Sequence, residues 1–177
     1  MNYYRLSSDR DISNPIVLKR LDQERYVSGA DRKQYDEVPG MNIAYFKNSP
    51  ELEKPDFLEE PVILVSDAFR HLLQTYDPQM PMKGIQCYPE EVEDPQACLY
   101  WWPYIEKVDC LSEETKKYPT GLLEHLVIDG RKLGKKHILR VDKTIENVVL
   151  VSLEFVESIL RREFWGMEFI PVNIVRR

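Results

Sequence analysis

The sequence predicts an α+β fold, with a mixed or mainly antiparallel sheet, in a single domain of residues 1–177. The first observation is an internal repeat, at about 62–89 and 148–172, that runs strand, serine, helix, glycine, strand. The second is that further strand patterns are grouped between the two copies, whereas a doubly wound sheet alternates strands with helices. The length of 177 residues also matches the usual ~100–200 residues of one domain. We expect an irregular lead-in at 1–59 and a body at 60–177 that carries the repeat.

The lead-in contains two short strand patterns. The run Tyr3–Leu6 is apolar and aromatic and is stopped by serine and aspartate, which predicts a strand. Residues 10–40 are polar and interrupted by proline and glycine, so we expect irregular structure there. A second strand is predicted at 42–46. Residues 48–61 carry three prolines and five acids and predict a surface connection.

Each copy of the repeat begins with an apolar, β-branched run that ends in a serine. These runs are Val62–Ser66 and Val148–Ser152, and helical spacing of apolar residues follows each serine. Each serine stands where a helix N-cap is needed, and such a cap contributes about 1 kcal/mol. We therefore expect strands at 62–66 and 148–152, with a helix beginning at or beside Ser66 and Ser152.

Three further strand candidates lie between the two helices. Leu99–Ile105 is rich in aromatic residues, and Pro103 within it indicates an edge strand or a bulge. Leu122–Ile128 ends at an Asp-Gly turn signal, and His137–Val141 is the third candidate.

The charge is −6 overall and is unevenly distributed. Residues 50–94 carry eleven acids and three bases, whereas 131–177 carry ten bases and six acids. The excess of basic residues at the C-terminal end is small, which disfavours nucleic-acid binding, because nucleic-acid binders usually carry a basic stripe. The acidic region suits a cationic protein partner, and a solvated surface that aids solubility is the alternative. The opening lacks the apolar core of a signal peptide and no apolar run reaches ~18 residues, which predicts a cytoplasmic protein without membrane contact.

Catalytic and metal-binding patterns are missing from the sequence. Cys87, Cys98 and Cys110 are eleven and twelve residues apart, which is not a metal-ligand spacing, and their odd number indicates reduced thiols. The three histidines share no short-range spacing. Both repeat serines are explained as helix caps, and the paired carboxylates lie in polar stretches. We therefore expect no enzyme activity, no metal and no cofactor.

Two adjacent segments are candidates for protein recognition. An acidic segment bounded by prolines is followed at once by an aromatic one, and anionic loops beside Trp and Tyr are typical of interfaces with basic partners. Trp101 and Trp102 point to opposite faces of a regular strand. Core packing and interface contact remain alternatives for Trp102 with Tyr100. The candidate partner-binding residues are Glu90, Glu91, Glu93, Asp94, Trp101 and Trp102.

The C-terminal two thirds of the chain resemble a known family. The run Val149–Ser152, the helical positions Phe155 and Leu160, and the ending Gly166–Val172 are similar to the C-terminal signature of a bacterial immunity-protein family encoded beside polymorphic toxins. The segments 62–76 and Asp109–Ser112 fit the same pattern. The resemblance covers roughly 60–177 and brings no catalytic residues with it.

This resemblance implies a cytoplasmic immunity protein that binds and neutralises a cognate toxin. The mechanism that we expect is occlusion, in which acidic and aromatic surface covers a basic active-site cleft. The alternative is a small-molecule or regulatory binding module with a pocket between the two repeat units, and an unrecognised hydrolase is a third hypothesis.

Overall fold

The computed structural model describes residues 2–21, 26–27 and 29–175. The chain divides into two units, each of which has its own sheet. The N-terminal unit comprises Ser8–Tyr104 and Phe164–Met167. The C-terminal unit comprises Met1–Ser7, Ile105–Glu163 and Glu168–Arg177. No helix in the described part of the chain is long and apolar enough to cross a membrane.

The described residues form three helices and fourteen strands, most of them short. In chain order they are β1 (Tyr3–Ser8), α1 (Arg32–Glu37), β2 (Met41–Phe46), β3 (Phe57–Leu58), β4 (Leu64–Ser66), α2 (Asp67–Tyr76), β5 (Met82–Pro89), β6 (Cys98–Pro103), β7 (Lys107–Val108), β8 (Lys116–Lys117), β9 (Leu123–His125), β10 (Val127–Asp129), β11 (Ile138–Val141), β12 (Val149–Ser152), α3 (Leu153–Leu160), β13 (Met167–Pro171) and β14 (Asn173–Val175).

The N-terminal unit is built on a five-stranded sheet in the order β2-β5-β6-β4-β3. Neighbouring strands are antiparallel except for β2 and β5, which are parallel. One face of the sheet covers a core that includes Tyr35, Phe46, Ile85 and Trp102. The helix α2 buries Phe69, Leu72 and Leu73. Because β6 lies between β4 and β5, the strand–helix–strand unit encloses an inserted antiparallel strand.

The C-terminal unit repeats this arrangement. Its five-stranded sheet has the order β13-β1-β12-β11-β7, and β1 lies between β12 and β13. The chain start therefore supplies the inserted strand that β6 supplies in the N-terminal unit, and it pairs with β12 in antiparallel fashion. The core includes Tyr3, Cys110, Ile128 and Leu150. The α+β class and the mixed sheets are confirmed.

The helix starts that the repeat predicts are also confirmed. The Ser66 hydroxyl accepts a hydrogen bond from the Phe69 amide at 3.2 Å, and the Ser152 hydroxyl accepts one from the Phe155 amide at 3.3 Å. Both serines are therefore N-caps that satisfy a free amide of the first turn. The strand β4 begins at Leu64, two residues later than predicted.

The similarity between the copies extends to the preceding strand. The Ser66 amide donates to the Asp56 carbonyl at 2.9 Å, and the Ser66 hydroxyl donates to the Asp56 carboxylate at 2.6 Å. In the other copy the Ser152 amide donates to the His137 carbonyl at 2.9 Å, and the Ser152 Oγ lies 2.8 Å from His137 Nδ1. Asp56 and His137 each stand directly before the strand that flanks the first strand of the repeat. Each copy thus comprises strand, strand, helix and strand.

The N-terminal lead-in contributes more to the core than its polar sequence indicates. Within 10–40 lies α1, whose cap Asp31 accepts a hydrogen bond from the Gln34 amide while the Gln34 side chain accepts one from the Asp31 amide. This reciprocal capping stabilises a helix of only six residues. Phe57 and Leu58, in the predicted surface connection, are a buried edge strand.

Candidate functional site

The acidic segment predicted from the sequence is the loop between β5 and β6. Every residue from Glu91 to Ala97 is exposed. Glu91 has a positive φ of 58°, so the chain turns sharply at the start of the loop. Glu91, Glu93 and Asp94 therefore present their carboxylates to solvent. We call residues 90–97 the acidic loop.

Glu90 differs from the other three acids. Its carboxylate forms ion pairs with Lys19 at 3.6 Å and with Arg20 at 3.2 Å, and its side chain is 22% exposed. Its amide donates to the Phe46 carbonyl at 2.9 Å. Because two cations lie beside Glu90, its charge is compensated within the unit and the outward field of the loop comes from Glu91, Glu93 and Asp94.

Trp102 lies in the core of the N-terminal unit. It is 5% exposed, its ring packs edge-on against Tyr35 with centroids 4.9 Å apart, and it packs in a tilted arrangement against Tyr26 at 5.3 Å. The Tyr35 hydroxyl donates to the Trp102 carbonyl at 2.9 Å. Tyr100, on the same side of β6, is 3% exposed. Of the two alternatives for this pair, core packing is the one observed.

Trp101 occupies the opposite face of β6 and is half-buried. Its indole Nε1 donates to Asp67 Oδ1 at 2.8 Å, and the Arg70 guanidinium carbon lies 4.4 Å from its ring centroid. Arg70 and Asp67 are themselves paired at 3.1 Å. The first turn of α2 thus holds the indole in one orientation, which lowers the conformational entropy that a binding partner would have to remove.

The face that carries Trp101 continues onto β5 and β2. A Cβ at Gly84 would meet Met41 and Trp101, so these two side chains flank Gly84 on one face. The register places Ile43 opposite Gln86 and Tyr45 opposite Tyr88 on that face. Met41 is 49% exposed and Ile43 is 53% exposed. We call the outward side chains of β2, β5 and β6 together the β2–β5 face: Met41, Ile43, Tyr45, Gln86, Tyr88, Leu99 and Trp101.

The acidic loop begins where this face ends. Tyr88 is the last outward residue of β5, and its ring lies 6.4 Å from that of Tyr45. The Arg20 guanidinium stacks over Tyr45 at 4.8 Å, so the cation that pairs with Glu90 also packs on the face. An apolar and aromatic surface with three exposed carboxylates at one end suits a partner that combines apolar and cationic groups.

Sequence reasoning found the loop and the tryptophans and missed the exposed side chains of β2. The alternation of Met41, Ile43 and Tyr45 with buried residues predicts a strand, but it does not reveal which side is covered. That depends on the parallel pairing of β2 with β5, about forty residues further along the chain, and no local pattern indicates such pairing.

The contact between Ser152 and His137 resembles a nucleophile with its base. The Ser152 side chain is fully buried, however, and its oxygen accepts a hydrogen bond from the Phe155 amide. Hydrogen bonds from its own amide and from the Ser152 hydroxyl hold the pKa of the Glu154 carboxyl below its usual value. This carboxylate is therefore a hydrogen-bond partner of the serine. Because the equivalent Ser66 makes the same contact with an aspartate, the arrangement serves the fold in both copies. Among the described residues, no three His, Cys, Asp or Glu side chains are grouped so as to hold a metal ion.

A family model matches nearly the whole chain. It is described as an immunity protein family, Imm11, and it matches residues 7–173. The match begins well before residue 60, so it includes most of the lead-in as well as the repeat. No curated protein matches the chain. Because the match covers residues 7–173, which include the β2–β5 face and most of both units, the chain belongs to the Imm11 immunity protein family.

Proposed function

We propose that this protein binds a cognate bacterial toxin in the cytoplasm and neutralises it by occlusion, without a catalytic step. The β2–β5 face and the acidic loop together cover a basic surface at the toxin's active site. Membership of the family supports the immunity role. The observation that carries the choice of surface is the exposed apolar face of a sheet beside three exposed carboxylates of the acidic loop, Glu91, Glu93 and Asp94.

The apolar part of this surface supplies affinity. Met41 and Ile43 are about half exposed on regular strand backbone, and burying apolar area stabilises a complex by about 25 cal/mol per Å². Trp101 adds an aromatic group whose orientation is already set by Asp67 and Arg70. Tryptophan and tyrosine are the side chains most often found at interface hot spots.

The acidic part of this surface raises the rate of association and orients the partner. The three exposed carboxylates lie within four residues of one another, so their fields add over a distance comparable to the Debye length of about 8 Å at physiological salt. Such a cluster attracts a cationic surface before contact and raises the association rate. A basic cleft on the toxin is therefore the chemistry that fits the loop.

The test uses the product of the adjacent toxin gene and measures its affinity by calorimetry and its association rate by stopped flow. The triple variant Glu91→Gln, Glu93→Gln, Asp94→Asn should slow association at least about tenfold at low salt and flatten its salt dependence. Trp101→Ala should weaken binding by at least about 2 kcal/mol. The double variant Met41→Ser, Ile43→Ser should weaken it by a similar amount.

Matched controls come from the C-terminal unit. Glu113 and Glu114 are exposed acids, and Ile145 is a 70% exposed apolar residue. The variants Glu113→Gln, Glu114→Gln and Ile145→Ser should bind as the wild type does. Loss of affinity in these controls with none in the face variants would place the interface elsewhere. If the wild-type protein does not bind the toxin at all, the immunity function itself is wrong.

A further inference from the structure

Two cysteines face each other across the base of the acidic loop. Cys87 on β5 pairs directly with Cys98 on β6 in antiparallel register, and they are the last pair before the loop. Both are free thiols. Directly opposed residues of antiparallel strands have side chains on one face and Cα atoms about 4.5–5.5 Å apart. That separation lies within the range of about 4.4–6.8 Å that a disulfide spans.

The environments of the two thiols are unequal. Cys87 is fully buried, whereas Cys98 is half-buried at the start of β6, next to exposed Ala97. A hydrogen bond between the two side chains, together with burial, raises the pKa of Cys87. The same hydrogen bond lowers the pKa of Cys98, and the positive charge of Lys54 lowers it further. Cys98 is thus the more exposed sulfur and the one whose thiolate form is favoured, whereas the Cys87 thiol donates to the Ile85 carbonyl at 3.5 Å.

We propose that Cys98 and Cys87 are a redox-active dithiol that a low-molecular-weight disulfide converts to a cross-strand disulfide. The Cys98 thiolate attacks one sulfur of oxidised glutathione, the S–S bond of glutathione breaks, and one glutathione thiolate leaves with the electron pair. Cys87 then loses its proton to solvent and attacks the Cys98 sulfur, which releases the second glutathione. The two protein thiols are oxidised to one disulfide, and one glutathione disulfide is reduced to two thiols.

The pairing makes the second step favourable. Once Cys98 carries glutathione it is no longer a thiolate, so the larger of the two causes that raise the pKa of Cys87 disappears and only burial remains. Cys87 is already opposite the sulfur that it attacks, which gives the reaction the advantage of an intramolecular step. The product closes the ten residues 88–97 into a covalent loop and fixes the base of the hairpin that carries the carboxylates. The inference rests on the geometry of β5 and β6 and does not require the proposed function.

The chain contains its own control thiol. Cys110 is fully buried in the C-terminal unit, and burial raises its pKa to about 11. A buried thiol with a raised pKa reacts slowly because the thiolate is the nucleophile. Oxidation of the pair should therefore leave Cys110 reduced.

The experiment treats the full chain with oxidised glutathione at neutral pH and follows intact mass, free thiols and peptide mapping. The wild type should lose two of its three thiols and two hydrogen masses, with Cys87 and Cys98 in one linked peptide. Cys87→Ser should stop at a glutathione adduct on Cys98, Cys98→Ser should show neither product, and Cys110→Ser should behave as the wild type. Circular dichroism checks that each variant is folded.

Alkylation under native conditions gives a second readout. Cys98 should react with iodoacetamide at least about tenfold faster than Cys110. The proposal is wrong if the wild type keeps all three thiols, if it accumulates a stable glutathione adduct without the linked peptide, or if Cys110 is oxidised as fast as the pair. None of these results depends on toxin binding, so they do not bear on the immunity function.

Discussion

Truncation of Trp102 tests the assignment of the two tryptophans to opposite faces of β6. Trp102 is 5% exposed and contacts the rings of Tyr35 and Tyr26. Replacing a buried aromatic residue by alanine costs about 3–5 kcal/mol. Since two aromatic pairs are lost together, we expect Trp102→Ala to lower the free energy of unfolding by about 4–5 kcal/mol.

Trp101→Ala is the matched control, because it removes the same side chain one residue away. It loses the hydrogen bond to Asp67 and the contact with Arg70. Trp101 is half-buried, so solvent replaces part of what is lost. An exposed cation–π contact contributes about 0.5–1 kcal/mol and a typical hydrogen bond about 1 kcal/mol. We therefore expect a cost of about 1–2 kcal/mol, well below that of Trp102→Ala.

The assay is urea unfolding followed by far-UV circular dichroism, with the slope of the transition compared between variants. A shift of the midpoint at constant slope reports stability alone. The reasoning is refuted if the two variants are destabilised equally, or if Trp101→Ala is the more destabilised. In either case the assignment of Trp102 to the core and of Trp101 to the binding face would be wrong.

Three further predictions concern the fold. Ser66→Ala and Ser152→Ala should each cost about 1–2 kcal/mol in urea unfolding, because each loses a cap and a second hydrogen bond; equal stability to the wild type would contradict the shared role in the repeat. Hydrogen bonds from Arg131 lower the pKa of the Asp129 carboxyl to about 2. The contribution of this carboxylate to folding stability is therefore complete above the ordinary pKa of 3.8 and is lost as the pH falls through about 2. Asp129→Asn should therefore lower the stability at neutral pH, and its stability should fall less than that of the wild type between these two pH values. A variant whose stability falls with acid as the wild type's does would contradict this. Gly166 has a φ of +89°, and a Cβ there would strike a proline ring. Gly134 shares the positive φ but has open space around it, so Gly166→Ala should lower the free energy of unfolding by at least about 1 kcal/mol more than Gly134→Ala does. Equal losses of stability would contradict the close approach.

The repeat could be predicted because its sequence signals are local in both copies. An apolar β-branched run, a serine and helical spacing stand next to one another in the chain, and Ser66 and Ser152 cap the helices as expected. The helix α1 was missed because six residues with one buried side chain, Tyr35, show no periodicity. Its readable signal is Asp31 followed three residues later by Gln34, which is a capping-box pattern.

The candidate site was predictable only in part. The acidic loop is visible because prolines bound a run of carboxylates, and the alternation along β6 separates Trp101 from Trp102. The ion pairs of Glu90 with Lys19 and Arg20 join residues about seventy positions apart, so no local pattern distinguishes Glu90 from its neighbours. The exposure of Met41 and Ile43 likewise depends on which strands and helices cover the sheet.

The central claim is that the toxin binds the β2–β5 face and the acidic loop. Hydrogen–deuterium exchange of the protein alone and in complex with the adjacent-gene toxin tests it most directly, since exchange reports which backbone amides are protected. The account predicts new protection in residues 41–46 and 82–99, with little change in the peptides of the C-terminal unit. Protection confined to the C-terminal unit, with the amides of the acidic loop exchanging as fast in the complex as in the free protein, would contradict it.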